Sequence, residues 1–320
     1  MMNRRNLLVG LGAGLALCPD FGRASNASLN IIATTGMVTD LVLNIAGPAA
    51  EVRGIMGSGI DPHSYRHTRS DIVSMTKADI VFYHGLGLEV QMMELFEQLL
   101  KKVTVHSVAD QLDSSRLLKH ADYENAYDPH IWMNPLIWAG TIDSVVDLLS
   151  QARPEQRDVF IKNANRYRMQ LMELDAYSND VLSSVPKESA ILITAHDAFA
   201  YFGAAYGFEV IGVQGISTNS EAGLFRIGEL VEILVKRKIA AVFVESSVSD
   251  RNLLALIEGA GAQGHEVSLG GELFSDAMGP EGSYEGTYLG MIDHNVTTIA
   301  KALGGIVPDR GWQNKLRLGT

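Results

Sequence analysis

The chain has 320 residues, 47% of them hydrophobic and 20% charged, too long for one small domain and too apolar for extensive disorder, so two domains of about 130 to 150 residues each are expected. Its net charge of −11 offers no broad basic surface, which excludes nucleic acid as the natural partner and makes cations the better match.

Residues 1–27 read as a removable export signal: Arg4-Arg5, an apolar run from Leu7 to Cys18, Pro19, and small residues up to Ala27. At 12 residues the run is shorter than the roughly 20 a membrane-spanning helix needs. Arg4-Arg5-Asn6-Leu7-Leu8 fits both a twin-arginine signal and the charged start of an ordinary secretory signal, and the ordinary one is favoured slightly. Leu15-Ala16-Leu17-Cys18 resembles a lipoprotein box, but Leu17 before the cysteine and Pro19 after it fit poorly, so lipid anchoring at Cys18 is the disfavoured reading. A periplasmic location follows. Cleavage near residue 27 removes three arginines and one aspartate, taking the net charge from −11 to −13, together with the only cysteine. Disulfides, cysteine nucleophiles and thiolate-bound metals are thereby excluded, and a metal would have to be held by His, Asp and Glu.

Short apolar runs then alternate with amphipathic stretches. Strands are expected at 29–35, 51–55, 79–84 and 103–106, and again at 189–195, 209–214, 240–245 and 266–269. The rhythm predicts two similar α/β lobes, 28–153 and 186–320, each with a mainly parallel four-stranded sheet. Between them, 154–185 reads as one long helix, with Val159, Ile161, Tyr167, Leu171 and Leu174 at roughly helical spacing, Pro154 in its first turn and Pro186 past its end. About 30 residues of helix would run about 45 Å and connect the lobes stiffly.

Asp-Pro-His occurs twice in predicted loops, as Asp61-Pro62-His63 and Asp128-Pro129-His130. Proline fixes the backbone, and the aspartate can accept a proton from the imidazole nitrogen that faces away from a metal. One copy alone reads as a turn with a capping histidine, and the repetition is what points to a shared ligand. His196, in Thr194-Ala195-His196-Asp197, follows a predicted strand, where open α/β sheets place ligands, although a helix start explains the same residues. Asp276 lies in a glycine-rich stretch, 270–286, with Glu272 as a competitor. Glu245 ends a strand and reads as a hydrogen-bonding group outside the ligand set. The histidines at 67, 84, 106, 120, 265 and 294 lack a repeated framework and read mostly as surface or core-edge residues.

These segments carry a resemblance. Asp61-Pro62-His63-Ser64-Tyr65, Tyr127-Asp128-Pro129-His130-Ile131-Trp132, His196-Asp197-Ala198-Phe199-Ala200-Tyr201-Phe202, Phe243-Val244-Glu245-Ser246-Ser247 and Gly270-Gly271-Glu272-Leu273-Phe274-Ser275-Asp276 resemble the motifs of the cluster A-I, or TroA-like, zinc and manganese solute-binding proteins of bacterial ABC importers, over essentially the whole mature chain. The resemblance implies two α/β lobes joined by a rigid helix, a metal in the cleft between them, and His63, His130, His196 and Asp276 as its ligands. It also implies an ABC importer permease with its cytoplasmic ATPase as partners, a metallochaperone as a candidate further partner, a monomer, and no catalysis. Manganese-specific relatives typically carry Glu at the third position, where this chain has His196. The histidine-rich loop of many zinc-specific relatives is represented only by His120. Three imidazoles and a carboxylate suit Zn(II) better than Mn(II), with Mn(II) as the alternative cargo. An exported zinc hydrolase is the remote alternative, disfavoured because four protein ligands leave no position for an activated water. A metal held purely for structure would predict unfolding on chelation. The rigid connection predicts a modest rearrangement on metal release.

Overall fold

The computed structural model describes residues 28–120 and 123–317, so the export signal and Cys18 lie outside the described residues. Two sheets form the frame. The first comprises β1 (Leu29–Ala33), β2 (Ala50–Gly54), β3 (Ile80–Tyr83) and β4 (Thr104–Ser107) in the order β2-β1-β3-β4. The second comprises β5 (Ile191–Thr194), β6 (Glu209–Gly212), β7 (Ala241–Glu245) and β8 (Ser268–Leu273) in the order β6-β5-β7-β8. Every pairing is parallel, which requires the helical crossovers that the alternating pattern predicted.

The last strand departs from the sequence expectation. It runs through Gly270-Gly271 to Leu273, because a register shift after Val242 lets β8 stay paired with β7. Gly271 takes φ +139°, and a side chain at Gly270 would strike the Phe243 ring, so the glycines are what the bulge requires. Glu272 consequently lies in a strand and is exposed, which removes it as a competing ligand.

A 3-10 turn, Pro154–Gln156, leads into the helix Arg157–Leu182, about 39 Å long at 1.5 Å per residue. Its buried stripe is Phe160, Ala164, Tyr167, Leu171, Leu174, Ser178 and Val181, a continuous helical period. Phe160, and not Val159 or Ile161, enters the seam; the latter two are exposed. The stripe packs on helices Gly36–Ala46 and Ile142–Ala152 of the first lobe and on Tyr288–Ala302 of the second. One apolar core therefore runs through both lobes, with Leu41, Ile45, Trp138, Leu171, Tyr288 and Ile292 among its fully buried members.

That core contains a carboxylate. Asp40 accepts hydrogen bonds from Tyr167 Oη (3.2 Å) and Asn44 Nδ2 (3.0 Å). Burial lifts its carboxyl to about 6, although Tyr167 and Asn44 pull the other way. A carboxyl raised in the folded state opposes folding once ionised, so its cost is absent below about pH 4 and grows until pH passes 6. Asp40→Asn keeps an acceptor for Tyr167 and is expected to stabilise the protein at pH 7 by up to about 3 kcal/mol, the gain vanishing near pH 4. Denaturant melts of both proteins at several pH values check this; a variant less stable at pH 7 contradicts it.

Candidate metal centre

Four loops converge between the sheets, and each leaves the carboxyl end of its sheet, where open α/β folds gather ligands. The loop after β2 carries His63. Asp61 Oδ1 accepts the His63 backbone N–H at 2.8 Å, and Asp61 Oδ2 accepts from Ser64 Oγ at 2.7 Å. The loop ends in a capping box: Thr68 and Asp71 cap the helix Arg69–Thr76 reciprocally, and Tyr65 Oη donates to Asp71 at 2.7 Å. The segment that follows β4 carries Asp128-Pro129-His130. Here Asp128 Oδ1 accepts both the backbone N–H (2.9 Å) and the ring Nδ1–H (2.7 Å) of His130.

The two Asp-Pro-His copies thus diverge. Asp128 orients its histidine's ring as the sequence suggested, whereas Asp61 serves the backbone and the opposite lobe, accepting from Thr218 Oγ1 at 2.6 Å.

His196 follows β5, and Glu245 ends the neighbouring strand β7. Thr194 pairs with Phe243, and two residues further along both chains His196 meets Glu245. Glu245 accepts the His196 backbone N–H at 2.9 Å and its Nδ1–H at 2.5 Å, the hydrogen-bonding role expected outside the ligand set. Asp276 follows β8, in a loop that Asn295 holds by accepting from the Phe274 N–H (2.9 Å) and donating to the Phe274 carbonyl (2.7 Å).

One donor atom from each of His63, His130, His196 and Asp276 lies within 4.8 Å of the other three, and all four residues are buried. His63 Nε2 and His130 Nε2 are 3.2 Å apart; Asp276 oxygens lie 3.3 Å from His130 Nε2, 3.1 Å from His196 Nε2 and 3.6 Å from His63 Nε2. Neither Asp276 oxygen makes a hydrogen bond, nor does His196 Nε2. Unsatisfied buried polar atoms are costly, so a donor set left in this state is suited to a ligand of opposite charge. A tetrahedron built on zinc–nitrogen bonds of 2.0–2.1 Å has edges of about 3.3–3.4 Å, close to the 3.2 Å between the His63 and His130 nitrogens and the 3.1 Å from His196 to Asp276. With Nδ1–H of His130 and His196 committed to carboxylates, Nε2 is the nitrogen of each ring that faces the centre and that offers a lone pair once the ring is neutral.

Electrostatics agree. Burial disfavours charge on all four groups, and in His63 it prevails over the attraction of Asp276, lowering the imidazole to about 4. In His130 burial is overcome by Asp128 and Asp276, which lift it to about 9. His196 is likewise raised well above its ordinary value against burial, by Asp276 and Glu245. Asp276 is driven well below the usual range despite burial, chiefly by His196 and His130.

Sequence reasoning missed several supports. His84, expected near the surface, is fully buried under the second Asp-Pro-His; its Nε2–H donates to the Pro129 carbonyl at 2.7 Å, and its ring stacks on Trp138. Burial lowers it to about 3, so it is neutral. Trp132 Nε1–H donates across the cleft to the Ser275 carbonyl at 2.9 Å, and Tyr288 Oη donates to the Trp132 carbonyl at 2.8 Å. His265 and His294 donate to backbone carbonyls of their own lobe, away from the cleft.

Paired parallel sheets on one long helix, with a buried cluster of three imidazoles and one carboxylate between them, define a cation-binding protein. The family model for the zinc-uptake complex component A, periplasmic (ZnuA), matches residues 31–302, and the chain belongs to that family. It is 42% identical to the manganese-binding lipoprotein MntA of Bacillus subtilis over 88% of this chain and 92% of the relative. It is also 42% identical to the zinc-binding protein TroA of Treponema pallidum, over 85% and 88% respectively. The solved structure of the Treponema pallidum periplasmic zinc-binding protein TroA superposes with a TM-score of 0.84, covering 87% of this chain and 99% of that one. Membership makes the chain an extracytoplasmic, non-enzymatic, metal-binding component of an ABC importer, which works with a membrane permease and its ATPase.

Proposed function

We propose that the protein captures Zn(II) between its lobes through His63, His130, His196 and Asp276 and hands it to the importer's permease. The observation that carries this reading is the donor set itself: three imidazole nitrogens and one carboxylate oxygen, all buried and all within 4.8 Å of one another, a borderline-soft set. Mn(II) is the second reading, favoured because the manganese-binding relative of Bacillus subtilis is as similar to this chain as the zinc-binding TroA. Export by cleavage near residue 27 remains our reading of the leader. The lipoprotein relative favours Cys18 as an anchor, while Leu17 and Pro19 around it argue against one.

Chelator-stripped protein titrated with Zn(II) and Mn(II) in direct competition tests the cargo. Zinc is expected to win by more than about 100-fold, and His196→Glu, which replaces an imidazole by oxygen, is expected to narrow the gap. Equal competition by manganese in the unaltered protein overturns the zinc assignment.

A further inference from the structure

The four donors are not held alike. His130 and His196 each set Nδ1 against a carboxylate of their own lobe, at 2.7 and 2.5 Å. Among the described residues, His63 has no such brace: the only carboxylate within ion-pair distance of its ring is Asp276, 3.6 Å away. The stretch that carries it is fastened from the other lobe instead. Thr218 Oγ1–H donates to Asp61 Oδ2 at 2.6 Å, Asn219 Nδ2–H donates to the His63 carbonyl at 3.4 Å, and Ser58 Oγ–H donates to the Met278 carbonyl at 3.0 Å. His63 is also the most exposed of the four, at 4% against 0, 0 and 1%.

Thr218 and Asn219 belong to the connection between β6 and the helix Leu224–Arg237. Up to Gly215 that connection is tied to the sheet by backbone hydrogen bonds to Thr194, Ala195 and Asp197. From 216 to 222, among the described residues, no backbone hydrogen bond ties it to either sheet. A segment with so few backbone ties belongs to the part of a fold that opens at least cost. Rotation of one lobe against the other would instead break the core that runs along the long helix.

We propose that Thr218, assisted by Asn219, is a positioning residue that latches the His63 loop across the cleft, and that undoing this latch, with His63 the first donor to leave, controls release of the bound cation. The proposal rests on the reading of the four residues as the cation site. It predicts an effect on the rate of loss, with little effect on the coordination geometry of the loaded state.

The test uses the full mature protein as wild type, Thr218→Val, Thr218→Ser and Asn219→Ala. Zn(II) loss is followed by transfer to excess chromogenic chelator, and Co(II) serves as a spectroscopic probe of the donors. Thr218→Val is expected to release Zn(II) about tenfold faster, Thr218→Ser at near the wild-type rate, and Asn219→Ala a few-fold faster, all with the wild-type Co(II) spectrum. Release from Thr218→Val at the wild-type rate overturns the latch, as does a changed Co(II) spectrum, which would place Thr218 in the donor geometry. If the wild type itself binds neither Zn(II) nor Co(II), the cation-site reading fails first and the latch falls with it.

Discussion

Replacing Asp276 with Ala is expected to lower Zn(II) affinity by more than about 100-fold, beyond the usual cost of losing a group that merely orients a ligand. Asp276 is the one carboxylate of the quartet, and its oxygens approach all three imidazoles. It also sets their protonation. In the free protein His130, lifted to about 9 against burial by Asp128 and Asp276, carries a proton at neutral pH, and His196 is shifted in the same direction against burial by Asp276 and Glu245. A cation must expel the His130 proton, so apparent affinity rises as pH climbs toward about 9. The stability of the free protein follows the same sign. His130's raised value contributes stability that is fully present below about 6.5 and is lost as pH passes 9, so the stabilisation by zinc widens over that window. Without Asp276 fewer protons remain to be displaced and the pH slope flattens. Calorimetric titrations in buffers of different ionisation enthalpy count those protons, and an unchanged count or affinity in the variant would contradict the assignment.

Glu245→Gln is expected to cost about 10- to 100-fold in affinity while leaving the fold intact. The amide oxygen can still accept the His196 backbone N–H, but the amide NH2 then faces Nδ1. That forces the imidazole proton onto Nε2, the nitrogen that faces the centre, and removes its lone pair. Glu245→Ala adds a second effect by leaving the buried His196 N–H without an acceptor, at about 1–3 kcal/mol of stability. Competition titration with thermal melts separates the two: the Gln variant should bind weakly at a near-normal melting temperature, and the Ala variant should lose both. Wild-type affinity in the Gln variant would show that the carboxylate does not set the tautomer.

The repeated Asp-Pro-His marked His63 and His130 by itself. His196 at a strand end and Asp276 in a glycine-rich stretch had ordinary readings as a helix start and a loop carboxylate, and only the family resemblance joined the four. The two-sheet frame was legible directly, since apolar runs between amphipathic stretches imply parallel pairing wherever the chain is read. What stayed hidden depends on residues far apart in the chain. Thr218 meets Asp61 across 157 positions and Trp132 meets Ser275 across 143, and no periodicity encodes such contacts. His84 looked like any isolated histidine until the loop of Pro129 folded over it. Phe160 was displaced from the expected helix face by neighbours that fit the apolar spacing only loosely. The end of β8 was lost because two glycines normally mark a loop, and only the ladder with β7 makes them a bulge.

The shared core along the helix Arg157–Leu182 also bears on how cargo is announced. If release follows the latch proposed above, a frame whose halves are fused by one continuous interior would keep nearly the same outline loaded or returning empty. A membrane partner would then have to sense occupancy at the rim, from the loop residues around His63 and Thr218.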